Sequence, residues 1–243
     1  MNEFIHETLT RTKYIKFLIT LYFLVALIEI IAEYNLDFGL IYLTKPLLMP
    51  ILIVLYWCSS KNVNYIFIVS LITVWFANLF FIGNEFSNIV LGTVFFLAYR
   101  VLIIFLVIKT VKFPGYIPII IGCFPFLFLY LFVTNLTFIE LGKSIYIFLI
   151  QGVFMIFFGG YCLGNYFFKP NKSNTYLLIS ALLFTAIQFV LVIKLFYISY
   201  NIIQPIAMIL FVFGQYFLYQ FMIYEEKKKT RYEIINKYKD LES

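Results

Sequence analysis

Charged residues, histidine and cysteine are all scarce in this chain of 243 residues. Only 12% of its residues are charged and 63% are hydrophobic, with one histidine and three cysteines. Soluble domains average about 25% charged and about 45–50% apolar residues, so this composition excludes a soluble protein. Together with a mean hydropathy of +0.97, it indicates an integral membrane protein.

Signatures of soluble enzymes and metal sites are missing as well. The sequence has no GxSxG, HExxH, GxGxxG or glycine-rich phosphate loop, and its cysteines have no CxxC spacing. We therefore expect neither a metal nor a cofactor. The net charge of +6 does not predict a nucleic-acid partner, because the basic residues fall in loops and tails, where membrane topology explains them.

Eight apolar runs divide the chain, and a transmembrane helix needs about 20 such residues. Lipid cannot satisfy open backbone groups, so each span must be a helix. The fold class predicted is an all-α bundle of eight transmembrane helices over residues 1–224, followed by a basic cytoplasmic tail at 225–243. The predicted spans are 15–32, 38–58, 65–82, 88–108, 116–136, 145–168, 176–195 and 202–224.

The distribution of basic residues predicts the orientation. Fourteen of the 18 lie before or at the start of the first span, in the even-numbered loops or in the tail, whereas the odd-numbered loops carry acidic residues and at most Lys143 and Lys194. By the positive-inside rule both termini are cytoplasmic, which an even number of spans requires. We expect a multi-pass protein of the cytoplasmic (inner) membrane. The odd-loop acids are Glu33, Asp37, Glu85 and Glu140.

Lys45 is the most unusual residue within a predicted span. It lies seven residues into the second span, roughly 10 Å deep at 1.5 Å per residue, where a lysine costs about 2.5–3.5 kcal/mol. It either snorkels to the headgroups or faces a partner inside the bundle. Glu29 lies at similar depth in the first span and predicts an ion pair. Since Glu29 is the only carboxylate assigned to a span, no paired-carboxylate acid–base site is expected.

Several other polar side chains fall inside the predicted spans. Such amides commonly hydrogen-bond helices to one another, but their number in one bundle favours a polar cavity. Gly160 and Gly164 form a GxxxG pair, which indicates close helix packing. The polar residues are Asn78, Arg100 beside Tyr99, Gln151, Gln188, Gln215 and Gln220.

These features together resemble the YhhN family, which includes the lysoplasmalogenases. Characterised members are eight-helix proteins that hydrolyse the vinyl ether bond of lysoplasmalogens. The segment 44–47, Thr-Lys-Pro-Leu, resembles the family's Lys-Pro-Leu, and segments 74–79, 92–99, 180–188 and 216–220 align with further family motifs. The family's two aspartates fall on Asn78 and Gln188, and its histidine falls on Tyr99.

The resemblance implies a lysophospholipid headgroup as partner, in a polar cavity between the helices. An amide cannot give or take a proton at neutral pH, so either the acid has moved to Glu29 or Tyr99, or the protein binds lipid without catalysis. A structural membrane protein and a small-solute transporter are the alternatives, and the oligomeric state is left open. The implied catalytic positions are Asn78, Gln188, Glu29 and Tyr99. The implied substrate-binding positions are Lys45, Arg100, Gln151, Tyr216 and Gln220.

Overall fold

The computed structural model consists of eight helices, with no strand among the residues it describes. It describes the backbone of residues 2–83, 85–141, 145–196 and 202–242, and their side chains except at 2–10, 86, 137–141, 145, 193–196 and 231–242. The side chains of Glu140, Lys143 and Lys194 are therefore outside the described residues. The helices are α1 Asn2–Asn35, α2 Phe38–Ser59, α3 Tyr65–Phe80, α4 Phe86–Thr110, α5 Tyr116–Leu141, α6 Ile145–Phe168, α7 Lys172–Phe196 and α8 Ile203–Glu242.

The predicted all-α membrane fold is confirmed, with one helix shorter than expected. Seven helices are long and apolar enough to cross a membrane, whereas α3 has 16 residues, fewer than the about 20 that a bilayer core needs. The last helix, α8, has 40 residues. It continues without a break from the apolar span into the basic tail, past the predicted boundary at residue 224.

Helix α2 continues through its two prolines. One of them leaves a backbone carbonyl without its helical donor, and a side chain of a neighbouring helix donates to that carbonyl instead. Pro50 has no N–H to donate to the carbonyl of Pro46, four residues earlier. The indole Nε1 of Trp75, on α3, donates to that carbonyl at 2.8 Å. This bond satisfies a polar group that hydrocarbon could not and holds α3 against α2.

The segments that carry most of the basic residues meet at one end of the bundle. Arg11, on α1, donates to the carbonyl of Ser60, which follows α2, at 3.0 Å. The hydroxyl of Ser60 in turn donates to Glu226 on α8 at 2.6 Å. Tyr176, near the start of α7, packs against Tyr224 of α8 with ring centroids 5.3 Å apart. These contacts place the start of α1, the end of α2, the start of α7 and the basic part of α8 at one end, and we call the opposite end of the bundle the outer end.

Glycines bring α5 and α6 into close backbone contact, as the GxxxG pair predicts. A Cβ on Gly160 would collide with the sulfur and backbone of Cys123, and a Cβ on Gly164 would lie 2.8 Å from the carbonyl oxygen of Pro118. On the α5 side, a Cβ on Gly122 would collide with the Gly160 carbonyl. This pair therefore serves helix packing.

The orientation can be tested with single cysteines in a background from which the native cysteines have been removed. A cysteine at position 85, before α4, should react with a membrane-impermeant reagent from outside the cell, because odd-numbered loops are predicted to face out. Cysteines at positions 62 and 172 should react only after the membrane is permeabilised. Labelling of positions 62 and 85 from the same side would contradict the eight-span topology, and a non-spanning α3 would produce that result, because α3 is the helix between them.

Candidate functional site: two buried cations in the outer half of the bundle

Lys45 lies inside the bundle, where α1 packs against α2. Its side chain is 3% exposed, and its Nζ lies 2.6 Å from Glu33 Oε1 and 3.8 Å from Glu29 Oε1. Lys45 therefore faces the interior of the bundle and lies within ion-pair reach of Glu29, as predicted for an ammonium that hydrocarbon cannot solvate. We call four residues the lysine cluster: Glu29, Glu33, Thr44 and Lys45.

Glu33 lies in a helix, so its predicted position in the first outer loop is wrong. Helix α1 extends to Asn35, so Glu33 belongs to the helix, where it is 6% exposed. Helical residues four apart share a face, and Glu29 and Glu33 therefore both reach Lys45. The expectation that no paired-carboxylate site can be built from this chain is wrong. The i, i+4 spacing of the two glutamates could have revealed this pair. The predicted span ended at residue 32, between them, and so separated Glu33 from Glu29.

Thr44 adds a hydroxyl group to the lysine cluster. Its Oγ1 makes close hydrogen-bond contact with Glu29 Oε2 and lies 2.8 Å from the carbonyl oxygen of Leu40. Glu29 is fully buried, and its other oxygen, Oε1, has no hydrogen-bond partner among the described residues. The sequence analysis did not single out Thr44, although it precedes Lys45 directly.

Arg100, on α4, is the second buried cation. Its Nη1 donates to Gln188 Oε1 at 2.6 Å and to the backbone carbonyl of Gln151 at 3.0 Å. Its guanidinium carbon lies 5.4 Å from the centre of the Phe96 ring. Within the described part of the chain, no ion pair includes Arg100, and its Nη2 has no hydrogen-bond partner. Lys45 and Arg100 thus differ sharply in how their charges are compensated.

Further polar groups surround Arg100 from neighbouring helices. The Tyr99 hydroxyl, which is buried, donates to Gln215 Oε1 on α8 at 3.1 Å. Gln151 Nε2, on α6, donates to the carbonyl of Thr93 on α4 at 3.0 Å. Four helices, α4, α6, α7 and α8, therefore contribute to this region. We call these residues the arginine cluster: Tyr99, Arg100, Gln151, Gln188 and Gln215.

The two clusters lie at comparable depth. Gln151 is six residues from the outer end of α6 and Gln188 is eight from the outer end of α7, which places them roughly 9 and 12 Å below it at 1.5 Å per residue. The guanidinium of Arg100 binds both, so it too lies in the outer half. Lys45 lies seven residues below the outer end of α2. Both charges are therefore closer to the outer end of the bundle than to its basic end.

Unpaired donor groups are a feature of the arginine cluster. Arg100 Nη2, Gln188 Nε2 and Gln215 Nε2 are buried without a hydrogen-bond partner in the described chain, and so is Asn78 Nδ2 on α3. As placed, all four atoms are N–H donors, so they lack acceptors rather than donors. The arrangement is therefore chemically suited to an anion or another acceptor, and not to a metal ion.

Asn78 and Gln188 are both buried, at 6% and 9% exposure. Among the described residues no hydrogen bond joins the two, and Gln188 binds Arg100 instead. Burial agrees with the alignment that places them on the family's aspartates, because neither side chain faces lipid. The cavity that they are predicted to share, and the catalytic roles assigned to Asn78, Gln188, Glu29 and Tyr99, stay predictions.

Tyr216 and Gln220, predicted to bind substrate, bind each other. Gln220 Nε2 donates to the Tyr216 hydroxyl at 2.8 Å, and the Tyr216 ring packs 5.0 Å from that of Phe23 on α1. Both are half-buried. In the described part of the chain neither is hydrogen-bonded to the lysine cluster or the arginine cluster, and their predicted role in binding stays untested.

Comparison with known proteins agrees with the sequence resemblance. A model of the YhhN family matches residues 40–222. No curated protein and no solved structure matches the chain. The matched region starts at the beginning of α2 and ends in α8, so it includes Lys45 and the whole arginine cluster. It leaves out Glu29 and Glu33, which precede it.

The bond between Arg100 and Gln188 should appear as energetic coupling in a double-mutant cycle. Each single change, Arg100→Met or Gln188→Leu, leaves a buried polar group unpaired, which costs about 1–3 kcal/mol. The double variant removes both groups, so we expect it to be less destabilised than the sum of the two by about 0.5–3 kcal/mol. Reversible unfolding of the purified protein in detergent measures these free energies.

A matched cycle combines Arg100→Met with Ser70→Ala. Ser70, on α3, donates to the carbonyl of Phe67 and shares no partner with Arg100. These two changes should add to within about 0.5 kcal/mol. Equal additivity in both cycles would show that the Arg100–Gln188 bond carries no net energy.

Proposed function

This chain belongs to the YhhN family, and from that membership we propose that it binds a lysophospholipid inside the bundle with the phosphate at Arg100. The arginine cluster holds the headgroup, and the hydrocarbon tail lies along apolar helix faces. The lipid class that the family resemblance implies is the lysoplasmalogens. The protein is a multi-pass membrane protein, and we propose the cytoplasmic (inner) membrane as its location.

The observation that carries the proposal is that no ion pair compensates the charge of Arg100 among the residues that the structure describes. The residue is 5% exposed, and a buried charge without a counter-ion is strongly unfavourable. A phosphate supplies the missing charge and also accepts hydrogen bonds, which Arg100 Nη2 and Gln188 Nε2, both without a partner among the described residues, can donate. Guanidinium–phosphate bonds are among the strongest that side chains form.

The identity of residue 188 also favours anion binding. In the family resemblance this position is an aspartate, whereas here Gln188 accepts from Arg100 through a neutral amide. An aspartate would neutralise the guanidinium that it contacts. The glutamine keeps the hydrogen bond and leaves the positive charge of Arg100 for a ligand.

Lys45 is less suited to the second phosphate contact that the sequence analysis proposed. The carboxyl group of Glu33 lies 2.6 Å from its ammonium and already compensates its charge, so a further anion would gain little from Lys45. The proposal therefore assigns the phosphate to Arg100 alone.

Catalysis is proposed to be slow in the unmodified protein. Vinyl ether hydrolysis needs a proton delivered to carbon and then water added to the oxocarbenium ion. The two positions that match family aspartates are amides, which can hold a substrate by hydrogen bonds but cannot transfer that proton. The chain thus keeps a polar site at these positions and loses their acid chemistry.

Binding of the phosphate can be tested by replacing Arg100. In lipid nanodiscs, Arg100→Gln should weaken binding of a lysophospholipid about 10- to 100-fold, because hydrogen bonds to charged groups contribute about 1.5–3 kcal/mol. The matched control is Lys109→Gln, which removes the same charge from the same helix near its basic end, where Lys109 lies over the Phe105 ring. The control should leave the dissociation constant unchanged.

A neutral monoacylglycerol with the same hydrocarbon chain separates headgroup recognition from binding of the tail. It should bind weakly, and Arg100→Gln should not alter its affinity. If Arg100→Gln binds the lysophospholipid as tightly as the unmodified protein does, the phosphate does not lie at Arg100 and the proposal is wrong.

Restoring the carboxylates should restore chemistry. An aspartate at position 188 should weaken phosphate binding at Arg100, so the rate is measured at saturating substrate. There we expect Asn78→Asp combined with Gln188→Asp to raise aldehyde release from lysoplasmalogen, since general acid–base catalysis typically contributes about 10²–10⁴-fold. The control is Gln188→Asn alone, which gives both positions the shape of aspartate without its charge and should stay near the unmodified rate. Robust turnover by the unmodified protein, surviving both Glu29→Gln and Tyr99→Phe, would contradict this placement of the site.

A further inference from the structure

The hydroxyl group of Thr44 has fewer protons than it has acceptor oxygens within hydrogen-bond distance. Thr44 Oγ1 has a single proton, yet it is within hydrogen-bond distance of two acceptors, the Leu40 carbonyl oxygen and Glu29 Oε2. Threonine hydroxyls in this bundle regularly donate to the carbonyl four residues earlier, as those of Thr93 and Thr185 do. If Thr44 donates to Leu40 in the same way, the proton between Thr44 and Glu29 belongs to Glu29.

The charges of the lysine cluster independently indicate that one of its two glutamates keeps a proton. Lys45 on α2 and Glu33 on α1 are the charged groups of the described chain that act on Glu29. With both glutamates ionised, one ammonium would face two carboxylates, and the cluster would carry a net negative charge inside hydrocarbon. Two carboxyl groups that share one site do not both ionise readily. One retained proton makes the cluster neutral.

The distances decide which glutamate holds that proton. Glu33 Oε1 is at 2.6 Å from the ammonium, the distance of a charge-assisted bond, whereas Glu29 Oε1 is at 3.8 Å and has no hydrogen-bond donor in the described chain. A fully buried carboxylate oxygen without a donor is costly, whereas the carbonyl oxygen of a neutral acid tolerates this better. Glu33 is therefore the carboxylate and Glu29 the acid.

We propose that the lysine cluster is a binding site for one exchangeable proton, held by Glu29 Oε2 and donated to Thr44 Oγ1, with Lys45 and Glu33 as the ion pair beside it. The site lies in the outer half of the bundle. Glu33, one helical turn closer to the outer end than Glu29, is slightly exposed while Glu29 is fully buried. Protons therefore exchange with the outer surface past Glu33. The inference does not depend on any lipid ligand.

Infrared spectroscopy of the full chain in lipid vesicles at neutral pH tests the proposal, because a protonated carboxyl group has a carbonyl band that carboxylates lack. The unmodified protein should show one such band, shifted in D₂O, and Glu29→Gln should remove it. Lys45→Met removes the ammonium and should about double the band, since both glutamates then retain protons. Glu33→Gln should abolish it, because Glu29 then ionises opposite Lys45.

Thr44→Val tests the hydrogen bond without changing any charge. The band should persist and move to higher frequency, because the acceptor of the Glu29 O–H is lost. Glu226→Gln, at the basic end of the bundle, is the matched control and should leave the band unchanged. The proposal is overturned if the unmodified protein has no such band, if the band survives Glu29→Gln, or if folded Lys45→Met protein shows no increase. A lysophospholipid that binds normally to Glu29→Gln would leave the function proposed at Arg100 intact.

Discussion

The ammonium of Lys45 determines how the outer half of the first two helices is built. Hydrocarbon cannot solvate a charge, so whichever helix packs against this face of α2 must supply carboxyl groups at the same depth. Glu29 and Glu33 do so from a single face of α1. The same helix is held to α8 by Tyr22, whose hydroxyl donates to the Val212 carbonyl at 3.0 Å. Pairing of Lys45 therefore fixes the register of α1 between two neighbours.

The two buried cations differ in how the bundle compensates their charge, and the difference follows from the shapes of their side chains. Lysine is a compact point charge, and one carboxyl group at 2.6 Å compensates it. The guanidinium of Arg100 is planar and has five donors in fixed directions. Amide and backbone oxygens of Gln188 and Gln151 occupy only one edge of it. Among the described residues the charge of Lys45 is thus compensated, whereas Arg100 keeps both charge and a donor group available, which is why the proposed phosphate is assigned there.

The sequence alone predicted the transmembrane spans, which depend on local hydrophobicity. It did not predict most contacts between side chains of different helices, because these depend on which helices are neighbours. The spans follow from apolar runs, and the partner of Lys45 follows from depth on adjacent helices. Glu33 was missed because a hydropathy boundary stops at the first polar residues, whereas backbone hydrogen bonds carry α1 on to Asn35. The oxygens that bind Arg100 come from α6 and α7, and no pattern within α4 identifies its neighbours. For the same reason the indole bond from Trp75 to the carbonyl left free by Pro50 was not predictable.

The two proposals together account for the charge inside the bundle. With a proton on Glu29, the lysine cluster has no net charge, and the charge left between the two clusters is that of Arg100. A phosphate bound there completes the compensation. The low-dielectric interior screens such charges far less than water does, so an anion at Arg100 favours retention of the proton at Glu29. By thermodynamic linkage the proton favours the anion equally. On these two proposals, Glu29 and Glu33, which lie outside the family match, would be coupled by charge to Arg100 inside it.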